Sequence, residues 1–103
     1  MKAALIKEFN KDFVVEDVEV PKIKHNEALV RVKASCLCAA DVKIRNGGIP
    51  NLKLPHIPGH EVAGEVAEIG SSVSNVTVGD RVVVYIYNVC GDCYACLEGK
   101  ENL

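Results

Sequence analysis

Three cysteines near the end of the chain have the spacing of a metal site. Cys90, Cys93 and Cys96 follow one another at intervals of three residues, and Gly91 directly follows the first. Thiolates at this spacing are typical ligands of a structural zinc ion, which binds four ligands in a tetrahedron. The pattern therefore predicts zinc, with a fourth ligand just beyond Leu103. A redox Cys-x-x-Cys pair is the alternative, but a third cysteine at the same interval fits metal binding better.

The cysteine count and the N-terminus indicate a reducing compartment. Five cysteines are an odd number for a set of disulfides, and Cys36 and Cys38 lie two residues apart on one predicted strand. Charges at Lys2, Lys7 and Glu8 leave no apolar stretch of signal-peptide length. No run approaches the ~18 apolar residues of a membrane span. We therefore expect a cytoplasmic protein that does not enter a membrane.

Length and composition are those of one folded domain. The chain has 103 residues, of which 49% are hydrophobic and 25% charged, and its net charge is −2. These values argue against a disordered tail. Because the chain has no basic stripe or run of like charges, they also argue against nucleic acid or an acidic membrane surface as a partner.

The hydrophobic pattern predicts a mainly β protein. Apolar residues alternate with charged ones in residues 27–35, as in a strand with one solvated face. Valine-rich strands separated by turn residues favour a small barrel or sandwich. The predicted strands cover about Lys2–Lys7, Phe13–Val18, Glu27–Ser35, Glu61–Ile69 and Arg81–Tyr87. A single short helix is predicted over Ala39–Arg45, with Gly47 ending it.

Three glycines interrupt the region of the fourth predicted strand. Gly59, Gly64 and Gly70 lie in or beside it, and His60 and Glu61 follow the first of them. A glycine in a strand marks a bulge, or a place where a ligand or another segment comes close. Each glycine alone is compatible with a simple turn. Together with His60 and Glu61, they indicate a strand shaped around a site.

These motifs resemble the zinc-containing medium-chain alcohol and polyol dehydrogenases. The resemblance covers essentially the whole chain, in the order of that family. It implies that residues 1–103 are the N-terminal catalytic domain, a GroES-like, partly open β-barrel with one short helix and a zinc-binding cysteine lobe. The matching segments are Gly59-His60-Glu61 with Gly64, Gly70 and Val73, the segment from Val32 to Asp41, and the Cys90, Cys93 and Cys96 run.

The resemblance also implies roles for four residues. Cys38 and His60 would bind a catalytic zinc, and Glu61 would lie beside it or act as an exchangeable ligand. Asp41 would accept a hydrogen bond from the far nitrogen of His60 and fix its tautomer. Zinc would stabilise the alkoxide formed from an alcohol, which makes hydride transfer to a nicotinamide easier. Taken singly, Cys38 fits a buried small side chain, His60 a strand histidine and Asp41 a helix-terminal charge.

Other residues depart from the family pattern or receive no role. Ala40 stands where the family usually has a serine or threonine that passes on the alcohol proton, so proton release is expected to be slowed or rerouted. Cys36 stands where the family often has glycine, and a packing role is expected for it. His25 and His56 lie in loop sequence and are assigned no function.

No Gly-x-Gly-x-x-Gly fingerprint follows a strand in this chain. NAD(P) would therefore bind only through a missing Rossmann-type domain. We expect the isolated chain to bind catalytic zinc weakly and to lack dehydrogenase activity. The surface facing the missing domain would expose apolar side chains, which favours self-association. The alternative function is a stand-alone zinc-binding β-module with a structural or interaction role.

Overall fold

Residues 1–102 form two small antiparallel sheets and two short helices. The computed structural model describes residues 1–102, so Leu103, the last residue of the predicted 1–103 domain, lies outside the described part. The elements are β1 (Lys2–Leu5), β2 (Val14–Asp17), β3 (Ala28–Cys36), α1 (Ala39–Arg45), β4 (Glu61–Ile69), β5 (Arg81–Val83) and α2 (Tyr94–Leu97). An N-terminal hairpin pairs β1 with β2, and the second sheet has the order β3-β4-β5.

Backbone hydrogen bonds join the segment after β1 to the loop that precedes β4. Ile6 and His56 exchange two backbone hydrogen bonds, of 2.7 and 3.0 Å. Leu5 and Ile6 are 5% and 1% exposed, and Val66 of β4 is 1% exposed. These three are the buried hydrophobic side chains among residues 1–102. Because the strands of the two sheets do not pack on one another in the described part of the chain, the core is small.

The long β3–β4 pair forms the framework of the second sheet. Its register runs from Ala28 opposite Ile69 to Cys36 opposite Glu61, with two irregularities along the way. A side chain at Gly64 would overlap the carbonyl oxygen of Arg31, and the backbone of another segment crowds Gly70 in the same way. The prediction that these glycines mark close approach is therefore confirmed.

Helix α1 has the predicted bounds because local signals define both of its ends. Cys38 is the N-cap, and Asp41 accepts a hydrogen bond from the Cys38 backbone N–H, which completes a capping box. At the other end, Gly47 has φ of +76° and donates a hydrogen bond to the carbonyl of Ile44. Asp41 is the buried residue of the helix.

Two predictions of secondary structure need correction. The last strand was predicted over Arg81–Tyr87 but ends at Val83, because only one further backbone hydrogen bond, from Val84 to Val62, follows. A run of β-branched and aromatic residues predicts a strand without regard to whether a partner strand is present. Residues 1–102 also contain a second helix, α2, whereas the sequence predicted only the helix over Ala39–Arg45. Its four residues are too few for a helical period to show in the sequence.

The predicted fold class is otherwise confirmed. The protein is mainly β, and its sheets are open at their edges among residues 1–102, as expected of a partly open barrel. Apolar residues after β4 are exposed, with Val83 at 81% and Tyr85 at 60%. Neither helix in the described part has the length or apolar character required to cross a bilayer.

Candidate metal centre

The centre of the candidate site is a thiol–imidazole pair. Cys38 lies between β3 and α1, and His60 lies directly before β4. Antiparallel pairing places Cys36 opposite Glu61, which brings the adjoining residues together at the same end of the sheet. The Sγ atom of Cys38 and the Nε2 atom of His60 are 3.2 Å apart. A sulfur and an imidazole nitrogen are donors that zinc prefers.

Asp41 supports both members of this pair from behind. Its side chain is completely buried. One carboxylate oxygen accepts from the backbone N–H of Cys38 at 2.9 Å, and the other accepts from the backbone N–H of Gly59 at 3.1 Å. Both oxygens therefore accept hydrogen bonds from the backbone on either side of the pair.

The Asp41 oxygen that accepts from Gly59 also faces the ring of His60. Its Oδ1 atom lies 3.5 Å from Nδ1 of His60, the ring nitrogen that faces away from Cys38. This orientation agrees with the role predicted for Asp41, but the distance is longer than that of an ordinary N–H···O hydrogen bond. The stronger contacts of Asp41 are those with the backbone.

Gly59 gives the chain the turn that presents His60. Its φ is +114°, a conformation that other residues adopt only with strain. In this conformation its N–H donates to Asp41 while the next residue directs its ring towards Cys38. The sequence indicated a special glycine here, but no sequence signal identified its contact with Asp41.

The three C-terminal cysteines form a second, separate cluster. The Sγ atoms of Cys93 and Cys96 are 3.5 Å apart, and those of Cys90 and Cys96 are 3.9 Å apart. These distances are far longer than a disulfide bond, so the thiols are free. Gly91, with φ of +80°, forms the turn after Cys90, and α2 begins directly after Cys93. Three soft donors facing one point suit a thiophilic metal ion.

The backbone around this cluster changes the acidity of its thiols. Hydrogen bonds from the backbone of Asp92 and Cys93, and from the neighbouring thiols, lower the pKa of Cys90 to about 7. The backbone of Gly91 acts in the same direction on Cys96, but the other two thiols and burial outweigh it and raise the Cys96 pKa. A shared cluster in which one thiol ionises readily is suited to metal capture, because the thiolate is the ligand.

Glu61 and Cys36 lie beside the thiol–imidazole pair. Residues 1–102 contain two clusters of three metal-binding side chains, and the one at this end comprises Cys38, Asp41 and His60, without Glu61. Instead, Glu61 is paired with Cys36 across the ladder. The Glu61 carboxylate, through a hydrogen bond and its charge, raises the pKa of the Cys36 thiol. Because Cys36 is exposed, the packing role predicted for it is wrong.

A cleft of about 760 Å³ opens next to His60 and Glu61. Its other walls come from the ends of β3 and β4 and from apolar residues after β5, including Tyr85 and Ile86. Ala40 stands where the sequence comparison led us to expect a serine or threonine hydroxyl. Its backbone N–H donates a hydrogen bond to Cys38 Sγ at 3.3 Å. His60 of the candidate pair thus lines a largely apolar cleft.

Comparison with known proteins places this arrangement in a family. A profile of the alcohol dehydrogenase GroES-like domain matches residues 24–103. An alcohol dehydrogenase of Geobacillus stearothermophilus is 46% identical over 100% of this chain and 31% of its own length. Sorbitol dehydrogenase of Bacillus subtilis strain 168 is 44% identical over 100% of this chain and 30% of its own length.

A solved structure agrees with these relatives. The cobalt- and zinc-bound thermostable alcohol dehydrogenase of Pyrobaculum aerophilum superposes with a TM-score of 0.92 at 36% identity, over 100% of this chain and 32% of that one. The chain therefore belongs to the alcohol dehydrogenase GroES-like domain family, as the motifs predicted. It spans between 30% and 32% of the length of these three relatives.

Proposed function

We propose that this chain is the zinc-binding catalytic domain of an NAD(P)-dependent alcohol or polyol dehydrogenase. The observation that carries the proposal is the 3.2 Å approach of Cys38 Sγ to His60 Nε2 at the edge of a cleft. Family membership supports the reaction class. Relatives named alcohol dehydrogenase and sorbitol dehydrogenase support the choice of alcohols and polyols as substrates.

In this proposal Cys38 and His60 are the catalytic zinc ligands of the chain. Bound there, zinc would act as a Lewis acid that favours loss of the hydroxyl proton of an alcohol. Asp41 lies 3.5 Å from Nδ1 of His60, on the side of the ring away from Cys38, and would favour the tautomer in which Nε2 is free to bind the metal. Asp41 also fixes the backbone on both sides of the pair through its bonds to Cys38 and Gly59. Glu61, one residue from His60, is retained as an exchangeable ligand.

A second zinc is assigned to Cys90, Cys93 and Cys96, whose thiols converge without any contribution from the first cluster. Its role is to hold the C-terminal lobe together, because residues 84–102 have only the four-residue helix α2 as regular structure. Closed zinc sites with cysteine ligands commonly have this structural function.

The nicotinamide site is assigned to sequence that this chain does not contain. Residues 1–102 have only antiparallel strand pairs, whereas a dinucleotide site is built from parallel βαβ units. The relatives are about three times as long, which leaves room for such a Rossmann-type domain. We therefore propose that the 103-residue chain alone does not oxidise alcohols.

The free thiols support a cytoplasmic location, and the exposed apolar residues after β4 support self-association.

Metal analysis of the purified chain and two variants tests the proposal. The wild-type chain should bind two zinc ions when zinc is supplied in excess, and Cys38→Ser and Cys93→Ser should each remove a different one. Cys36→Ser is the matched control, since Cys36 is a thiol outside both clusters. Loss of zinc only in Cys93→Ser would support the alternative, a zinc-binding β-module, and zinc binding unaffected by Cys38→Ser would refute the catalytic site.

A further inference from the structure

Two hydrogen bonds hold Cys38 in place from within its own segment. Its backbone N–H donates to the carboxylate of Asp41 at 2.9 Å, and its Sγ atom accepts from the backbone N–H of Ala40 at 3.3 Å. The first bond fixes the main chain of Cys38, and the second fixes its side chain. Because only the χ1 bond separates the sulfur of a cysteine from its main chain, the two bonds together select one rotamer.

The selected rotamer directs the sulfur at the histidine. The same Sγ atom that accepts from Ala40 lies 3.2 Å from Nε2 of His60. Rotation of χ1 to either of the other staggered positions would move the sulfur away from this point. The donor is a main-chain group of a residue whose methyl side chain forms no hydrogen bond of its own. The position of the sulfur therefore depends on the backbone of Ala40 and not on its side chain.

We propose that Ala40 is a positioning residue whose backbone N–H holds Cys38 Sγ towards His60 before a metal binds and stays bonded to the sulfur afterwards. A hydrogen bond to a thiolate draws negative charge from the sulfur, so the metal would keep more of its positive charge and act as a stronger Lewis acid. Ala40 can fill this role although it lacks the hydroxyl expected at its position. This inference rests on the proposed function, because it assigns a metal to Cys38 and His60.

The first test needs no metal and compares two neighbouring amides of the same residue type. Ala39 and Ala40 are both exposed, but no acceptor for the N–H of Ala39 is found in the described part of the chain. After correction for intrinsic rates, hydrogen exchange measured by NMR should be about two- to tenfold slower at Ala40 than at Ala39, the range expected from one hydrogen bond. Three-bond couplings should show one dominant χ1 rotamer for Cys38. Equal exchange at the two amides would overturn the inference.

The second test asks whether the bond persists when a metal is bound, and it uses cadmium, a thiophilic ion, as the probe. The nuclear spin of a magnetic cadmium isotope couples through a ligating sulfur to the Hβ protons of its cysteine. It also couples through an N–H···S hydrogen bond to the donor amide proton. The amide proton of Ala40 should therefore show a splitting that is absent with a non-magnetic cadmium isotope, and the amide of Ala39 should show none.

The outcomes separate this inference from the proposed function. Cadmium coupling to the Hβ protons of Cys38, to the ring of His60 and to the amide of Ala40 would support both. Coupling to Cys38 and His60 without any at the Ala40 amide would overturn the inference and leave the metal site in place. Absence of any coupling to Cys38 or His60 would instead refute the proposed metal site, while the exchange measurement still decides whether Ala40 holds the sulfur.

Discussion

The most informative single substitution is Asp41→Asn, because the carboxylate of Asp41 joins three parts of the site. The side chain is fully buried, and its two oxygens accept from the backbone N–H groups of Cys38 and Gly59. Asparagine keeps one acceptor oxygen and places an NH2 group at the other position. One backbone N–H therefore loses its acceptor and faces a second donor.

The magnitude follows from these contacts. Losing a hydrogen bond to a charged group costs about 1.5 to 3 kcal/mol, and the unpaired buried donor places the result towards the upper end of that range. For a domain of this size, about 2 to 3 kcal/mol corresponds to a fall of roughly 10 to 20 °C in Tm. Because Asp41 also contacts His60, zinc affinity at the catalytic pair should fall roughly 10- to 100-fold.

Thermal unfolding followed by circular dichroism measures the stability, and zinc titration measures the affinity. Asp12→Asn is the matched control, because it makes the same chemical change at a fully exposed carboxylate 3.7 Å from Arg45. A surface pair of this kind contributes at most about 1 kcal/mol, so the control should stay close to wild type. Equal Tm and equal zinc affinity in Asp41→Asn and Asp12→Asn would refute the assigned role of Asp41.

Three further predictions concern the sheet, the proton path and the exposed face. Gly64→Ala should lower the free energy of unfolding by about 1 to 3 kcal/mol, because the new methyl group overlaps the Arg31 carbonyl; an unchanged urea midpoint would contradict this. Ala40→Ser, made in a longer protein that carries this domain and a nicotinamide site, should speed proton release and alter the pH profile of alcohol oxidation; unchanged activity and profile would show that the missing hydroxyl does not matter. Light scattering should find a mass that rises with concentration, and the rise should be smaller in Val83→Asp, which places a charge on the exposed face. A mass that stays that of a monomer would count against self-association.

Features encoded locally could be predicted from the sequence. Helix α1 has its predicted bounds because Cys38 and Asp41 define its first turn and Gly47 ends it, all within a few residues. The glycine at position 64 also indicated a close approach correctly. Which segment approaches it, the carbonyl of Arg31, depends on the strand register, which hydrophobic alternation alone does not determine.

Features that depend on distant partners were predicted poorly. The run of β-branched and aromatic residues continues to Tyr87, but β5 ends at Val83 because a strand requires a neighbouring strand as well as a suitable sequence. The hydrogen bond from the Gly59 N–H to Asp41 joins residues 18 positions apart, and no sequence pattern indicated it. The two candidate ligands, by contrast, could be chosen from motif spacing through the family resemblance, and the fold brings their donor atoms within 3.2 Å.

The central claim is that Cys38 and His60 hold one metal ion between them. Crystals of the chain grown with zinc, measured on both sides of the zinc absorption edge, test this most directly. The proposal predicts two anomalous peaks, one in contact with Cys38 Sγ and His60 Nε2 and one among the thiols of Cys90, Cys93 and Cys96. Full occupancy at the three thiols without a peak between Cys38 and His60 would contradict it.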